Sequence, residues 1–264
     1  ADSSTAPRQA VETVSVRLDG PATETLVRQV PAAGHLRTHE ILVAALASTL
    51  AERVGDRQVN FFLERHGREA LQPGLDATQV VGWLTSLFPV RLDLPGEPGA
   101  LLRVTKDHLR QVPRGGIGYG WLRYASSDHA VRRELATLEA RAPHPVVFNY
   151  LGEAEGLVPS DGPFRLAKPL ALSRGPKAHC PFALEVVARL QGGRLEVDWI
   201  FDRQTFRRGT VQRLASAFLQ HLHDLLEHCL ADRQSGRSAS DFPLANLDEA
   251  KLGKLAAVLR RGQT

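Results

Sequence analysis

The sequence predicts an α/β fold, more specifically an α+β sandwich, in which a mixed sheet is covered by helices. Short stretches in which apolar and polar residues alternate, such as residues 14–18 and 59–64, are typical of half-buried strands. Longer stretches with an apolar residue every three or four positions are typical of amphipathic helices. Because the two kinds of stretch interleave without strict strand–helix alternation, the pattern favours a sandwich over a nucleotide-binding wound sheet.

The first elements are predicted as follows. Residues 1–10 are small and polar and are predicted to form a linker. Residues 14–18 form a first strand, and residues 59–64 form a second strand that leads into a His-Gly-Arg segment. Between them, Thr38 is predicted to cap a helix. The apolar stripe of that helix consists of Ile41, Leu42, Ala45, Leu46, Thr49 and Leu50.

Three strands are predicted after the glycine-rich loop at Pro113–Gly120. Helices are predicted at residues 101–112, 129–140 and 211–229, and strands at residues 146–151, 183–190 and 195–201. Gly192 and Gly193 separate the last two strands, and this pair predicts a hairpin turn that needs positive φ angles. Residues 234–264 are predicted to be an exit segment, with a last helix that begins at Asn246.

The composition is that of an ordinary globular protein, with 43% hydrophobic and 23% charged residues. The formal net charge is +4, but the basic residues are scattered, which argues against nucleic-acid binding. The sequence has no membrane-spanning apolar run and no secretory signal, and the only cysteines, Cys180 and Cys229, predict no disulfide framework. We therefore expect a cytoplasmic protein. The absence of methionine suggests a piece of a longer chain.

Five short motifs follow one another in a fixed order. They are Leu63–Glu69 (LERHGRE), Val81–Pro89 (VGWLTSLFP), Pro113–Gly120 (PRGGIGYG), Phe148–Gly152 (FNYLG) and Ser240–Leu244 (SDFPL). In that order they resemble the epimerization domains of nonribosomal peptide synthetases, a branch of the condensation-domain superfamily. The patterns of that family are ExHGRE, VGWFTxxYP, PxxGxGYG and FNYLG, with SDFPL downstream.

The resemblance implies a fold and a set of partners. Domains of this superfamily consist of two lobes that each resemble chloramphenicol acetyltransferase, with a tunnel between them. The first lobe carries an HHxxxDG motif, which this sequence lacks. The resemblance therefore implies that residues 11–233 form the C-terminal lobe and that an N-terminal lobe is a partner. A carrier protein and other synthetase domains are further expected partners. The phosphopantetheine arm of the carrier is expected to tether the substrate, with no bound cofactor and no metal.

Glu64 is the expected catalytic residue, because it matches the first acid of the ExHGRE motif. Epimerization removes the proton α to a thioester carbonyl and returns a proton to the other face, which requires a base, an acid and a group that holds the enolate oxygen. Arg65 stands where the family usually has glycine. On a regular strand it points away from Glu64, whereas on a bulged strand it would lie close enough to weaken Glu64 as an acid.

The other site residues are also implied by the resemblance. Asn149 and Tyr150 are expected to bind substrate through hydrogen bonds, and one of the two is expected to line the tunnel. Trp83 and Phe88 are interpreted as tunnel wall or core. His66, Arg68 and Glu69 are expected to form a structural hydrogen-bond and ion-pair cluster.

Other interpretations remain beside this one. His221, Asp224 and His228 share one face of a predicted helix, but a solvated face is the simpler interpretation than a metal site. A condensation-type domain that forms peptide bonds is one alternative function. A non-catalytic platform that binds a carrier protein or another synthetase domain is a second. If the chain is one lobe alone, we expect it to be inactive in isolation, to expose one apolar face, and to open Glu64, Asn149 and Tyr150 onto a single cleft.

Overall fold

The computed structural model describes residues 11–34, 36–68, 76–140, 145–153, 163, 182–232 and 238–241. The chain divides into two compact units. The first unit comprises Ala1–Thr23, Asn60–Arg91 and Pro113–Leu219, and the second comprises Glu24–Val59, Leu92–Val112 and Gln220–Thr264. The predicted linker at residues 1–10 and the predicted helix from Asn246 lie outside the described residues.

Six strands form one sheet. They are β1 (Val11–Arg17), β2 (Gln58–Arg65), β3 (Ser86–Asp93), β4 (Val146–Glu153), β5 (Leu184–Gln191) and β6 (Arg194–Asp202). Their order in the sheet is β1-β6-β5-β4-β2-β3. The β1–β6 and β5–β6 pairs are antiparallel, whereas the β2–β4 and β4–β5 pairs are parallel. The predicted mixed sheet is confirmed.

Seven α-helices are found among the described residues. They are α1 (Gly20–Glu24), α2 (Val30–Gly34), α3 (Thr38–Val54), α4 (Pro98–Gln111), α5 (Ile117–Gly120), α6 (His129–Ala140) and α7 (Arg208–Ala231). Single π-helical turns follow α1 at Thr25–Gln29 and α5 at Trp121–Ala125. The described part of the chain contains no helix that is long and apolar enough to cross a membrane.

The start of α3 differs from the prediction. The residue in the capping position is Arg37, not Thr38, because Arg37 has an extended backbone and Thr38 is already helical. The side chain of Glu40 accepts a hydrogen bond of 2.7 Å from the Arg37 N–H. The helix therefore begins with half of a capping box, which satisfies an N–H that would otherwise have no partner.

One face of the sheet forms the core of the first unit. The residues in register across this face are all buried, and they are Leu63, Phe148, Val186, Trp199 and Val14. The first half of α7 packs against this face, where the rings of Trp199 and Phe218 meet edge to face with centroids 5.8 Å apart. Burial of these apolar side chains fixes the register, since a slip by one residue would turn every one of them outward.

The second unit is helical at its centre. There α3 packs against α4. Every residue of the predicted stripe on α3 is buried, and so are three apolar residues outside it, namely Val43, Ala44 and Ala47. The apolar side of α3 is therefore wider than the stripe indicated.

The predicted hairpin between β5 and β6 is also confirmed. Gly192 and Gly193 have φ angles of 58° and 68° and connect Gln191 to its partner Arg194. Both angles fall in the left-handed region, which glycine adopts without steric cost.

Candidate functional site

Glu64 and Asn149 are cross-strand neighbours. In the parallel pair β2–β4, Glu64 is aligned with Asn149, one position beyond the pair Leu63–Phe148. Aligned residues on adjacent strands point to the same face, with strands about 4.8 Å apart. Both side chains are half-buried. We call the face that carries Glu64, Asn149, Val187, Asp198 and Ser15 the open face, since these aligned residues lie opposite the buried core row.

Tyr150 lies on the other face of the sheet. It follows Asn149 directly in β4 and pairs regularly with Ala188, and the irregularity of this strand begins only after Tyr150. Successive residues of a strand point to opposite faces. The expectation that Glu64 and Tyr150 open onto one cleft is therefore wrong, and the amide of Asn149 is the group beside Glu64. Burial, together with the nearby Glu153 carboxylate, raises the pKa of the Tyr150 hydroxyl.

Arg65 does not share the face of Glu64. β2 runs without interruption from Gln58 to Arg65. Its buried and less buried residues alternate up to Glu64, as expected of a regular strand. The alternative of a bulge at Arg65 is thus not observed, and the Cβ atoms of the two residues point to opposite sides of the sheet.

Arg68 holds the loop after β2 to residues 77–82, the segment that leads into the Val81–Pro89 motif. Its guanidinium donates hydrogen bonds to the carbonyl oxygens of Ala77 (2.7 Å), Val80 (2.7 Å) and Gly82 (3.4 Å). Its backbone N–H donates to Nδ1 of His66 at 3.0 Å. Hydrogen bonds of Arg68, one of them to His66, therefore hold this loop, while Glu69, the third residue of the expected cluster, lies outside the described residues.

Close packing explains two glycines of the motifs. Gly67 has a φ of +65°, and a methyl group there would overlap the carbonyl oxygen of Leu84. Gly116 has a φ of +84°, and a methyl group there would overlap the ring of Phe88. The HGRE loop and the glycine-rich loop thus each fit tightly against the Val81–Pro89 segment, which lies between them in sequence.

Trp83 and Phe88 have different surroundings. Phe88 is only 3% exposed, so it belongs to the core, which is one of the two positions expected for it. Trp83 is 88% exposed, and Val81 is fully exposed. Sequence alone did not separate the two residues, because both are aromatic members of one motif.

The glycine-rich motif places an aromatic residue near the open face. Phe62 lies two residues before Glu64 and therefore on the same face. Its ring meets that of Tyr119 at a centroid distance of 6.4 Å and that of Phe182 at 5.5 Å. These rings form an apolar boundary beside Glu64.

Tyr119 is fixed by its hydroxyl group. The hydroxyl donates a hydrogen bond of 2.6 Å to Glu139 on α6, and Arg123 donates to the other oxygen of the same carboxylate at 2.7 Å. Burial, followed by the hydrogen bond to Glu139, raises the pKa of Tyr119 far above its ordinary value. The phenol therefore stays protonated near neutral pH and serves as a hydrogen-bond donor.

Sequence comparison assigns the family. The profile of the Condensation domain family matches residues 1–247 of this chain. The chain belongs to the condensation-domain family. It is 32% identical over 249 residues to a linear gramicidin synthase of Brevibacillus parabrevis, a match that covers 91% of this chain but only 3% of that protein. It is 30% identical over 249 residues to surfactin synthase subunit 1 of Bacillus subtilis, a match that covers 94% of this chain and 7% of that protein.

Solved structures agree with this assignment. The epimerization domain from the third module of tyrocidine synthetase B is 32% identical, with a TM-score of 0.71, over 84% of this chain and 49% of that chain. The first condensation domain of the CDA synthetase shares the fold, with 16% identity and a TM-score of 0.54 over 88% of this chain and 49% of that chain. This condensation-family chain thus spans about half the length of the domains that it resembles in structure, and a few per cent of the curated relatives.

The open face of this condensation-family sheet also carries an ion-pair cluster that sequence analysis did not predict. Arg189 pairs with Asp198 at 2.5 Å and with Glu196 at 3.1 Å, and Arg17 pairs with Glu196 at 2.7 Å. The hydroxyl of Ser15 donates to Asp198. These residues are two apart on neighbouring strands, and only the strand register brings them together.

A second cluster, which we call the ionic cluster, lies in the second unit and was also missed. It consists of Glu40, Lys106, Arg110 and Asp241. Asp241 accepts from Lys106 at 2.6 Å and from Arg110 at 2.7 Å, while Arg110 also donates to Glu40 at 2.9 Å. The side chains of Lys106, Asp241 and Glu40 are 0%, 1% and 1% exposed. The one signal in the sequence was that Lys106 follows the apolar Leu102 by four residues, which places it on a buried side of α4.

The ionic cluster anchors the start of the SDFPL motif. The N–H of Ser238 donates to Asp241 at 3.0 Å, and the hydroxyl of Ser238 donates to Asp107 at 2.5 Å. Burial alone would raise the pKa of the Asp241 carboxyl. The hydrogen bonds from Lys106, the Ser238 N–H and Arg110 outweigh that effect and hold the pKa below its ordinary value.

Two histidines of α7 pair with acids of the second unit. His221 lies 2.8 Å from Glu52, and His228 lies 3.7 Å from Glu97. No cluster of three or more metal-ligating side chains occurs in the part of the chain that the structure describes.

Proposed function

We propose that this chain is the C-terminal half of an epimerization domain, which inverts the α-carbon of an aminoacyl or peptidyl thioester on a carrier protein. The observation that carries the proposal is the register of β2 and β4, which sets the carboxylate of Glu64 beside the amide of Asn149 on the open face. The epimerization domain of tyrocidine synthetase B supports it, since this chain resembles that domain over 49% of its length at 32% identity.

In this proposal Glu64 moves the proton. A carboxylate beside the α-carbon removes its proton, and the electron pair of the C–H bond moves onto the thioester carbonyl to give an enolate. The amide N–H groups of Asn149 donate to the enolate oxygen. A proton then returns to the opposite face of the carbon from an acid on the N-terminal half of the domain, or from Glu64 itself after the substrate has turned.

The surroundings of the two residues suit this task. The ring of Phe62, which meets those of Tyr119 and Phe182, gives the open face an apolar boundary, and apolar surroundings strengthen the hydrogen bonds that hold a developing charge. Arg68 fixes the loop that follows Glu64 through three backbone carbonyl groups. Such support keeps a catalytic side chain in a narrow range of positions.

The test is exchange of the α-proton with solvent deuterium on a carrier-bound aminoacyl thioester. We expect the complete domain, which includes the N-terminal lobe, to incorporate deuterium, and the 264-residue chain alone to incorporate none. Glu64→Gln keeps the shape of the side chain and removes its titrating group. It should slow exchange in the complete domain by about 10²–10⁴-fold.

The matched control is Glu52→Gln, which makes the same change on an exposed side chain of the second unit and should leave exchange unchanged. Exchange at the parent rate in the Glu64→Gln variant would assign Glu64 a structural role. Peptide-bond formation between two carrier-bound substrates, without α-proton exchange, would instead identify a condensation-type domain. Carrier binding without either reaction would identify a non-catalytic platform.

A further inference from the structure

The glycine-rich motif Pro113–Gly120 supplies no group to the proposed proton transfer, but it carries an aromatic ring close to Glu64. That ring belongs to Tyr119 in α5, and it meets the ring of Phe62 edge to face with centroids 6.4 Å apart. Phe62 lies two residues before Glu64 on β2, so the two side chains are neighbours on one face, about 7 Å apart along the strand. Whatever holds Tyr119 therefore also limits where the ring of Phe62 can lie.

Two contacts hold the glycine-rich loop to β3. The hydroxyl of Ser86 donates a hydrogen bond of 3.1 Å to the carbonyl oxygen of Gly115. Gly116 lies so close to the ring of Phe88 that a methyl group there would overlap the ring. Since β3 is the neighbour of β2 in the sheet, these contacts fix the loop beside the strand that carries Phe62.

The hydroxyl group of Tyr119 ties its ring to α6. It donates a hydrogen bond of 2.6 Å to one carboxylate oxygen of Glu139, and Arg123 donates to the other oxygen at 2.7 Å. Hydrogen bonds to a carboxylate are stronger than those between neutral groups. Burial, followed by the hydrogen bond to Glu139, raises the pKa of the Tyr119 phenol, so the donated proton stays in place near neutral pH. Tyr119 is therefore held at its backbone by the loop and at its hydroxyl by α6.

The geometry points to Tyr119 as a positioning residue for Glu64, which acts through the ring of Phe62. This inference rests on the proposed function. The ring of Phe62 occupies the open face next to Glu64 on the side of the start of β2, which leaves the carboxylate to turn toward Asn149 on β4. Because a small displacement of a catalytic group costs much of its rate, a ring that is held in one place favours proton transfer. Tyr119 thus acts on the rate without touching the substrate.

The experiment measures kcat and KM for α-proton exchange in the complete domain. Tyr119→Phe keeps the ring and removes the hydrogen bond to Glu139. It should lower kcat by about tenfold and leave KM nearly unchanged, less than the ~10²-fold cost of a displacement of about 1 Å, because Phe182 still contacts Phe62. Glu139→Ala removes the same hydrogen bond. The two substitutions together should cost no more than either alone, since residues that act as a unit are not additive.

Two further variants separate positioning from a purely structural role. Glu139→Gln keeps an oxygen that accepts from the phenol and should retain most of the exchange rate. Tyr124→Phe removes an exposed hydroxyl from the π-helical turn that follows α5, and should leave kcat at the parent value. A purely structural role of Tyr119 would lower the free energy of unfolding of Tyr119→Phe without lowering the kcat of the folded domain.

Fluorine NMR tests the connection through Phe62 without turnover. With para-fluorophenylalanine at position 62 of the 264-residue chain, Tyr119→Phe should shift or broaden the fluorine signal, and Tyr124→Phe should leave it unchanged. A fall in kcat with an unchanged fluorine signal would overturn the inference, and so would a parent value of kcat in Tyr119→Phe. Exchange that still depends on Glu64 in either case would leave the proposed function in place. A parent domain that exchanges no α-proton would reject the proposed function and the positioning role with it.

Discussion

The open face of the sheet and the ionic cluster of the second unit contain similar side chains in different surroundings. Glu64 and Asp241 both belong to motifs recognised in the sequence. Glu64 is half-buried on the open face, whereas the side chain of Asp241 is only 1% exposed and accepts hydrogen bonds from two cations and a backbone N–H. The comparison indicates that burial and partners, rather than residue type or motif membership, decide whether a carboxylate serves stability or is accessible to a substrate.

The largest stability effect is expected from removal of one partner in the ionic cluster. Lys106→Met leaves Asp241 buried with less compensation, and should lower the free energy of unfolding by about 3–5 kcal/mol. Urea unfolding measures this loss. The double variant Lys106→Met/Asp241→Leu removes both charges and should regain most of the stability. A loss below about 1 kcal/mol in the single variant would mean that the cluster behaves like a surface ion pair.

Substitutions at the proposed site on the open face should change activity rather than stability. Asn149→Ala in the complete domain should slow α-proton exchange by about 10²–10³-fold, because the donors to the enolate oxygen are removed. Tyr150→Phe is the matched control on the same strand. It removes a hydroxyl group from the other face and should change the exchange rate little. The reverse order of the two effects would contradict the assignment of Asn149 to the site.

The ionic cluster also predicts a pH dependence of stability. The pKa of Asp241 lies below its ordinary value of 3.8, so its carboxylate contributes stability that is complete well above pH 3.8. That contribution is lost as pH falls below 3.8 and through the lower folded-state pKa. The difference in free energy of unfolding between the parent and Asp241→Asn should therefore shrink on acidification across this range. A difference that stays constant down to about pH 2 would show that the pKa of Asp241 is the same in the folded and unfolded states.

The smallest effect is expected from the ion pairs of the open face. Arg189→Ala breaks contacts with Asp198 and Glu196, but these side chains are 17% and 13% exposed and Arg17 still pairs with Glu196. The free energy of unfolding should fall by about 1 kcal/mol or less, because water replaces part of the lost interaction. Chemical unfolding checks this value, and a loss equal to that of Lys106→Met would remove the distinction between the two regions.

Local patterns were sufficient for most of the secondary structure. The alternation in residues 59–64 predicted β2, and Gly192-Gly193 predicted the turn between β5 and β6. These features depend on neighbouring residues alone, since strand alternation and positive φ angles are local properties. The start of α3 was misjudged by one residue because Thr38 is a better capping type than Arg37, although Glu40 supplies the hydrogen bond.

Some features of the candidate site could be predicted from the sequence, and others only from the tertiary structure. The order of the motifs identified the family and singled out Glu64, Asn149 and Tyr150, because the residue types of a motif can be read along one chain. Which of Asn149 and Tyr150 shares the face of Glu64 depended on the pairing of β2 with β4, two segments that are far apart in the sequence. The buried pair Lys106–Asp241 depended on packing in the same way. Contacts between distant segments follow from the burial of apolar surface by the whole chain, and no single stretch of sequence carries that information.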